Sequence, residues 1–419
     1  MTSLRRDKPT VLFISYNGAL EPILQSQGLP YLRGLSARGI HVVLLSFERP
    51  AMATPERLNT LRRSLAERGI TWVALKYHKR PRLLATLFDI VRGASATAAL
   101  VRRHDVAVIH ARSYVPALMA WLVTRWRRIP WLFDMRGLMA EEYADGGLIN
   151  RYGLLYRFIK IAEIRLLRDA DHIIVLTEAV RGTLLDDAGI WSRGGPAPMS
   201  VIPCCTDLER FTPRATAPER PPLERTEGPH IIYVGSVGTW YCMEEMIAFV
   251  AVARGRWPAL RWTILTHGDH DVIRAGITKM GLPAESVTLK AVPPEAVPGE
   301  LAAADVGIAF ILPVNSKRAS CPTKLGEYLA CGLPVVINAG IGDTQSLIER
   351  HKVGVVVKAL EPSAYHLAIA ELEKHLQDPG LTARCRRAAE EELALSQGVE
   401  RYIQAYEQLD VSVGLEIGQ

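Results

Sequence analysis

Ser320-Cys-Pro-Thr-Lys-Leu-Gly-Glu-Tyr-Leu-Ala-Cys-Gly-Leu-Pro-Val-Val-Ile-Asn338 reads as a loop, a short helix and a buried strand. Pro322 stops what precedes it, and Thr323 is expected to cap a helix running to Ala330 or Cys331. Gly332 supplies a left-handed stop, and Pro334 leads into the apolar run Val335-Val336-Ile337. Such a helix holds Lys324 in its first turn, where a cation is electrostatically unfavourable unless an anion sits there as well. A phosphate fits that place. Glu327 shares the face of Lys324 and is suited to accept two hydrogen bonds from ribose hydroxyls. The segment therefore has the chemistry of half a nucleotide-sugar site.

Outward from this segment, apolar runs alternate with amphipathic stretches. In the first half strands are expected at Thr10–Ser15, His41–Phe47, Thr71–Lys76, Val106–His110, Trp131–Asp134, His172–Leu176 and Ser200–Pro203. Helices are expected at Ser26–Arg38, Pro55–Arg68, Arg82–Arg103, Val115–Trp126 and Arg151–Ala170, the last with Tyr152, Leu155, Ile159, Ala162 and Leu166 at helical spacing. The 212–229 stretch, with five prolines and six charged residues, reads as a linker. A second alternating series starts at His230, and the final 25 residues read as helical to about Leu409. Buried runs alternating with helices predict a parallel sheet covered on both faces. The expectation is α/β: two doubly wound Rossmann-like domains, 1–211 and 230–395, facing a cleft, with a last helix, 396–419, crossing back to the first. Ligands of such sheets bind beyond the carboxyl ends of the strands.

Composition narrows the class. With 419 residues, 48% hydrophobic and 22% charged, the chain has material for two or three full cores. The longest uninterrupted apolar run, Tyr114 to Thr124, is shorter than the roughly 20 residues of a bilayer span. Val11-Leu-Phe-Ile14 has the length of a strand, not of a signal-peptide core. Six cysteines without a Cys-x-x-Cys pair read as buried thiols of a reducing cytosol. The net charge of +6 is uneven: basic residues gather between Lys76 and Arg103, and Arg125, Arg127 and Arg128 stand among Trp121, Trp126 and Trp131. That second group suits an anionic membrane surface or, alternatively, a solvated helix face over core tryptophans. No nucleic-acid motif accompanies the charge.

Further polar groups collect at expected strand ends. Ile14-Ser-Tyr-Asn-Gly18 continues through Glu21 to Gln25-Ser-Gln-Gly28, a strand-to-helix turn whose amides are expected to face a phosphate or sugar. Phe133-Asp-Met-Arg-Gly137 delivers Asp134 and Arg136 to a strand end, and Glu141, Glu142 and Asp145 follow in what reads as a Gly-bounded loop. His110-Ala-Arg112 ends the preceding strand and is expected to face the same space. Tyr233-Val-Gly-Ser-Val-Gly-Thr-Trp-Tyr241 is a glycine turn able to bring backbone close to a diphosphate through Gly235, Ser236 and Gly238. His267-Gly-Asp-His-Asp271 lacks the further ligands of a zinc set and reads as a polar turn.

With these residues in place, the chain resembles the retaining glycosyltransferases of family four, which have the two-domain GT-B fold. The resemblance runs along nearly the whole chain, in motif order. The loop from Gly18 to Gln27 resembles the family's opening turn and Val108-Ile-His-Ala-Arg112 its acceptor-side strand. Val201-Ile-Pro-Cys-Cys-Thr-Asp207 with Phe211 resembles the run before the family's linker, and Glu400-Arg-Tyr-Ile-Gln-Ala-Tyr406 its returning helix. A subgroup carrying Asp-Met-Arg-Gly and Gly-Ser-x-Gly-Thr-Trp-Tyr is nearest. The resemblance implies a phosphate-binding Lys324, a ribose-binding Glu327, and Thr323, Gly18, Gly235, Ser236 and Gly238 along the donor. It implies Asp134, Arg136 and Glu142 orienting sugar or acceptor. Where many members carry an arginine and a lysine, this chain has Ser236 and Tyr241; where they carry the first glutamate of a Glu-x7-Glu pair, it has Ala319.

The implied activity is a retaining transfer from a nucleotide-sugar donor to a glycan or lipid-linked glycan acceptor, in cell-surface polysaccharide or glycoconjugate synthesis. No metal or other cofactor is expected, since lysine and helix dipole meet the phosphate charge. The expected place is the cytosol or the inner face of a membrane, and no nucleic-acid partner is implied. Two alternatives stand beside it: a non-catalytic GT-B partner subunit, and a sugar-nucleotide epimerase.

Overall fold

The computed structural model describes residues 9–191, 195–213 and 228–409, so most of the expected linker, 214–227, lies outside the described residues. The chain divides into two compact units, one formed by 1–203 with 395–419 and one by 204–394. The first therefore ends at Pro203, not at residue 211. The reason is packing: Thr206 pairs with Ala394, and Phe211 is buried in the second unit's core beside Leu325 and Tyr328.

The first unit carries a seven-stranded sheet: β1 (Thr10–Ser15), β2 (His41–Glu48), β3 (Ile70–Lys76), β4 (Val108–Arg112), β5 (Trp131–Asp134), β6 (His172–Val175) and β7 (Met199–Val201), in the order β3-β2-β1-β4-β5-β6-β7. All pairings are parallel. Val11-Leu-Phe-Ile and Val42-Val-Leu-Leu are buried along their whole length, as strands covered by helices on both faces must be. The helix expected from Ser26 is two helices, Pro22–Gln27 and Leu29–Ala37, interrupted at Gly28. The expected loop after Arg136 contains a helix, Met139–Asp145. The last helix, Leu395–Glu407, belongs to this unit; Val399 packs against Gly34, where even a Cβ would approach it to 2.5 Å.

The second unit has a six-stranded parallel sheet of β8 (His230–Val234), β9 (Arg261–Leu265), β10 (Val287–Lys290), β11 (Val306–Ala309), β12 (Val335–Asn338) and β13 (Gly354–Val357), ordered β10-β9-β8-β11-β12-β13. Chain order reverses between β8 and β11, and in the first unit between β1 and β4. Such switch points open crevices at the carboxyl ends of the strands.

One expectation about packing fails. Helix Leu154–Asp169 buries Glu163, Leu166 and Leu167, whereas Leu154, Leu155, Phe158 and Ile161 are exposed, as is Tyr152 just before it. Helical spacing shows that a face is apolar; it does not show that anything covers it.

Candidate functional site

In the second unit the helix Thr323–Ala330 starts at the β8/β11 switch point. Tyr328 fixes it there: its hydroxyl accepts from the Val234 amide at 3.0 Å and bonds the Ile308 carbonyl at 3.3 Å. Pro322, not Thr323, occupies the cap position, and no side chain caps the helix. The Thr323 and Lys324 amides donate no hydrogen bond among the described residues, so the positive end of the helix is open to an acceptor.

Lys324 is only 6% exposed. Its Nζ lies 3.6 Å from the centroid of the Tyr241 ring and 5.4 Å from that of Tyr233. Among the described residues it forms no hydrogen bond or ion pair; two aromatic faces take their place. Burial lowers its pKa to about 7, against a partial opposing pull from Glu327. Glu327 is itself raised by burial, with Lys324 and Arg210 drawing it back. Its carboxylate accepts no hydrogen bond among the described residues. A buried ammonium and a carboxylate three residues on, both without hydrogen-bond partners, are costly in the empty protein and suited to a ligand offering an anion and hydroxyls.

The glycine turn serves this lysine. Gly235 has φ +147°, and a Cβ there would lie 2.7 Å from Lys324 Nζ. The Gly235 amide donates to the Leu265 carbonyl and the Ser236 carbonyl accepts from the Tyr233 hydroxyl at 2.6 Å, so these groups hold the turn instead of facing a diphosphate. Gly238 and Ser236 are exposed, and the Trp240 and Tyr241 amides close back on the Gly238 carbonyl. Tyr241, noted in the sequence only as a departure, is the residue stacked on Lys324. The His267–Asp271 turn is a helix cap: Asp269 accepts from the amides of Asp271 and Val272.

In the first unit the amides around Gly18 are already occupied. Gly18 donates to Glu21, and Ala19 and Leu20 donate to the buried carboxylate of Glu48 at 2.6 and 3.2 Å. Gly18 is glycine because a Cβ would come within 2.6 Å of Glu48 Oε2. The turn thus binds a carboxylate of its own chain where a ligand phosphate was expected.

Asp134 is fully buried, not substrate-facing. Its carboxylate receives the Tyr402 hydroxyl at 3.1 Å and lies 3.5 Å from His110 Nε2 and Arg112 and 3.7 Å from Arg136. Burial alone would raise its pKa, but Arg136, His110 and Arg112 hold it at about 2. His110, lowered by burial, also contacts the Tyr406 hydroxyl at 2.7 Å. Gln27, which sequence reasoning missed, gathers Arg112 and Arg136 on its Oε1 at 3.4 and 3.3 Å. Arg136 has φ +60°, a strained conformation for a non-glycine residue. Glu142 sits beside it: its Oε1 would be 3.3 Å from a Cβ on Gly137. The arrangement makes Asp134 a holder of Arg112 and Arg136 and leaves Arg136 and Glu142 as the partly exposed groups. Among the described residues no cluster of three or more metal-ligating side chains occurs.

Comparison with known proteins follows the same division. Residues 29–205 match the family described as Glycosyl transferase 4-like domain, and residues 314–374 match the Glucosyltransferase 3-like, C-terminal domain. No curated protein matches the chain by sequence. Among solved structures, a sucrose-phosphate synthase from Thermosynechococcus elongatus is similar with TM-score 0.70 and 18% identity, covering 96% of this chain and 99% of that one. A glycosyltransferase from Rickettsia africae has TM-score 0.70 and 15% identity, over 96% and 99% of the two chains. Anabaena HepE, solved with UDP and glucose, has TM-score 0.66 and 15% identity, over 95% and 99%. The chain thus has the GT-B fold of two Rossmann-like units, and a segment of each unit matches a glycosyltransferase family model.

Proposed function

We propose that this protein is a retaining glycosyltransferase that takes its sugar from a nucleotide-sugar donor bound by the second unit. The observation that carries the proposal is Lys324: a buried ammonium without an anion, at an open helix N-terminus, at the switch point of a parallel sheet. In this proposal the donor phosphate sits against Lys324 and the Thr323 and Lys324 amides, and Glu327 accepts from the ribose hydroxyls. The anomeric carbon–oxygen bond to the leaving phosphate breaks while an acceptor hydroxyl attacks on the same face. Its proton passes to the departing phosphate oxygen, so configuration is retained without a protein nucleophile. Catalysis then rests on positioning and on stabilising leaving-group charge, the part assigned to Lys324 and the helix end without a metal ion.

Arg136 and Glu142 are assigned to the acceptor, a glycan or lipid-linked glycan, with Asp134 positioning Arg136. The UDP complexes of HepE make uridine nucleotides the first donors to test. The experiment supplies labelled UDP-sugars with lipid-linked and free glycan acceptors and reads the new anomeric linkage by NMR. A product with the donor's configuration supports the proposal. Nucleotide binding without turnover of any donor would favour a non-catalytic partner subunit, and C2-epimer from donor alone an epimerase.

A further inference from the structure

The first unit exposes a large apolar surface that the transfer chemistry does not use. On helix Arg82–His104 the side chains of Leu83, Leu84, Leu87, Phe88 and Val91 form a stripe, each 49–64% exposed. On helix Leu154–Asp169, Leu154, Leu155, Phe158 and Ile161 form a second, 47–71% exposed. The short helix Met139–Asp145 packs beside the second of these helices and lies near the start of the first. Its Tyr143, 40% exposed, lies within the field of Arg82, and its Glu141 pairs with Lys160 at 2.9 Å and receives the Tyr156 hydroxyl. Nine large apolar side chains on two helices of one unit, both packed on helix Tyr114–Thr124, exceed the scattered exposure normal for a monomer surface.

The charge around them selects the partner. Lys79, Arg80 and Arg82 are exposed where the first stripe begins, and Arg157 and Arg151, the latter paired with Asp145, flank the second. Across 76–104 and 146–168 the only carboxylates are Asp89 and Glu163, both fully buried. A face that is apolar in the middle and more basic than acidic at the rim, with Asp145 and Asp169 each tied to an arginine, complements an anionic lipid surface. An isologous dimer through this face would set each basic rim against its own copy. Helix Arg82–His104 is also the one described helix long and apolar enough to cross a membrane. Its other face is committed to the protein, however: Asp89 accepts from Tyr16 and His78, and Gly93 packs on Met119. It is therefore built to lie on a bilayer, not to span it.

The arginine–tryptophan segment is not that surface. Trp131 is buried, Trp121 donates to Asp169 at 2.7 Å, and Arg125 and Arg165 stack on the Trp121 ring; only Trp126 is fully open. We propose that the protein docks on anionic membranes through the exposed stripes of helices Arg82–His104 and Leu154–Asp169. This does not depend on the transferase reading.

The test is flotation of the full chain with vesicles of phosphatidylcholine alone or mixed with phosphatidylglycerol. The wild type is compared with Leu87→Glu/Phe88→Glu, Leu155→Glu/Phe158→Glu and Arg125→Ala/Arg128→Ala, with urea midpoints and light-scattering mass for each. The expected result is binding to the mixed vesicles only, weakened by salt, and reduced at least about tenfold by either glutamate pair at unchanged urea midpoint. Lys79→Glu should weaken it further, since each basic residue near such a surface contributes roughly fivefold. The Arg125/Arg128 pair should bind as wild type. Absence of binding, equal binding to neutral vesicles, or glutamate pairs that float as wild type would overturn the proposal. So would a wild-type dimer that those pairs convert to a monomer without any vesicle binding.

Discussion

Nucleotide binding should draw a proton onto Lys324, and its strength should therefore fall as pH rises above neutrality. In the free protein burial holds the ammonium at about 7, below the ordinary lysine value of 10.5. A phosphate against Nζ restores the charged form and returns the pKa toward its ordinary value. Free protein is then about half protonated at pH 7 and nearly fully deprotonated at pH 8.5, while the complex stays protonated. The dissociation constant should rise about sixteen-fold between those pH values, or ~1.6 kcal/mol. Proton uptake should grow from roughly one half to about one per nucleotide bound. Calorimetry in buffers of different ionisation enthalpy reads both quantities. Lys324→Met should abolish the uptake along with most of the affinity. A flat dissociation constant with no proton uptake in the wild type would refute the placement of the phosphate on Lys324.

Three further outcomes follow from the same geometry. In the unfolded chain lysine stays protonated up to 10.5, but native Lys324 only to about 7, so between those values the unfolded state binds more protons and stability from this group rises with pH. At pH 7 and below Lys324→Met should thus stabilise the ligand-free protein by several kcal/mol, roughly 5 at most, seen as a higher Tm in calorimetry. Gly235→Ala puts a Cβ 2.7 Å from Lys324 Nζ at φ +147°; it should destabilise the fold by about 1–3 kcal/mol in urea titration and weaken nucleotide binding together. Asp134→Ala leaves Arg112, Arg136 and His110 without their buried counter-charge and should cost about 3–5 kcal/mol of stability, measured by urea unfolding, whereas Asp134→Asn should cost less.

The sheets were legible because buried parallel strands must be apolar along their whole length. Val11–Ile14, Val42–Leu45 and Val335–Ile337 cannot be mistaken for amphipathic helix, and every expected strand is present within two residues at each end. Short helices were less visible. Met139–Asp145 is seven residues with three carboxylates and a glycine pair after it, and its burial comes from Lys160, Tyr156 and the chain around them, not from a local pattern. Thr344–His351 and Leu381–Glu392 were likewise missed, as was Glu178–Asp186.

The site was legible where chemistry is local. Lys324 and Glu327 lie one helical turn apart, and sequence spacing alone puts them together. It was illegible where long-range packing decides. The Tyr402 hydroxyl on Asp134 comes from 268 residues away. Glu48 reaches the amides at Ala19 and Leu20 from 29 and 28 residues away, so a loop that looks open in sequence is filled in space. The same limit explains the apolar helix faces, whose spacing is visible and whose lack of cover is not.

The most direct measurement of the central claim is a calorimetric panel of UDP, GDP, ADP and CMP against the wild type and Glu327→Ala. The account predicts that one nucleotide binds selectively and that the substitution weakens it by about 10- to 150-fold, the ~1.5–3 kcal/mol of a charged hydrogen-bond partner. No binding by any of the four, or binding unchanged in Glu327→Ala, would contradict it.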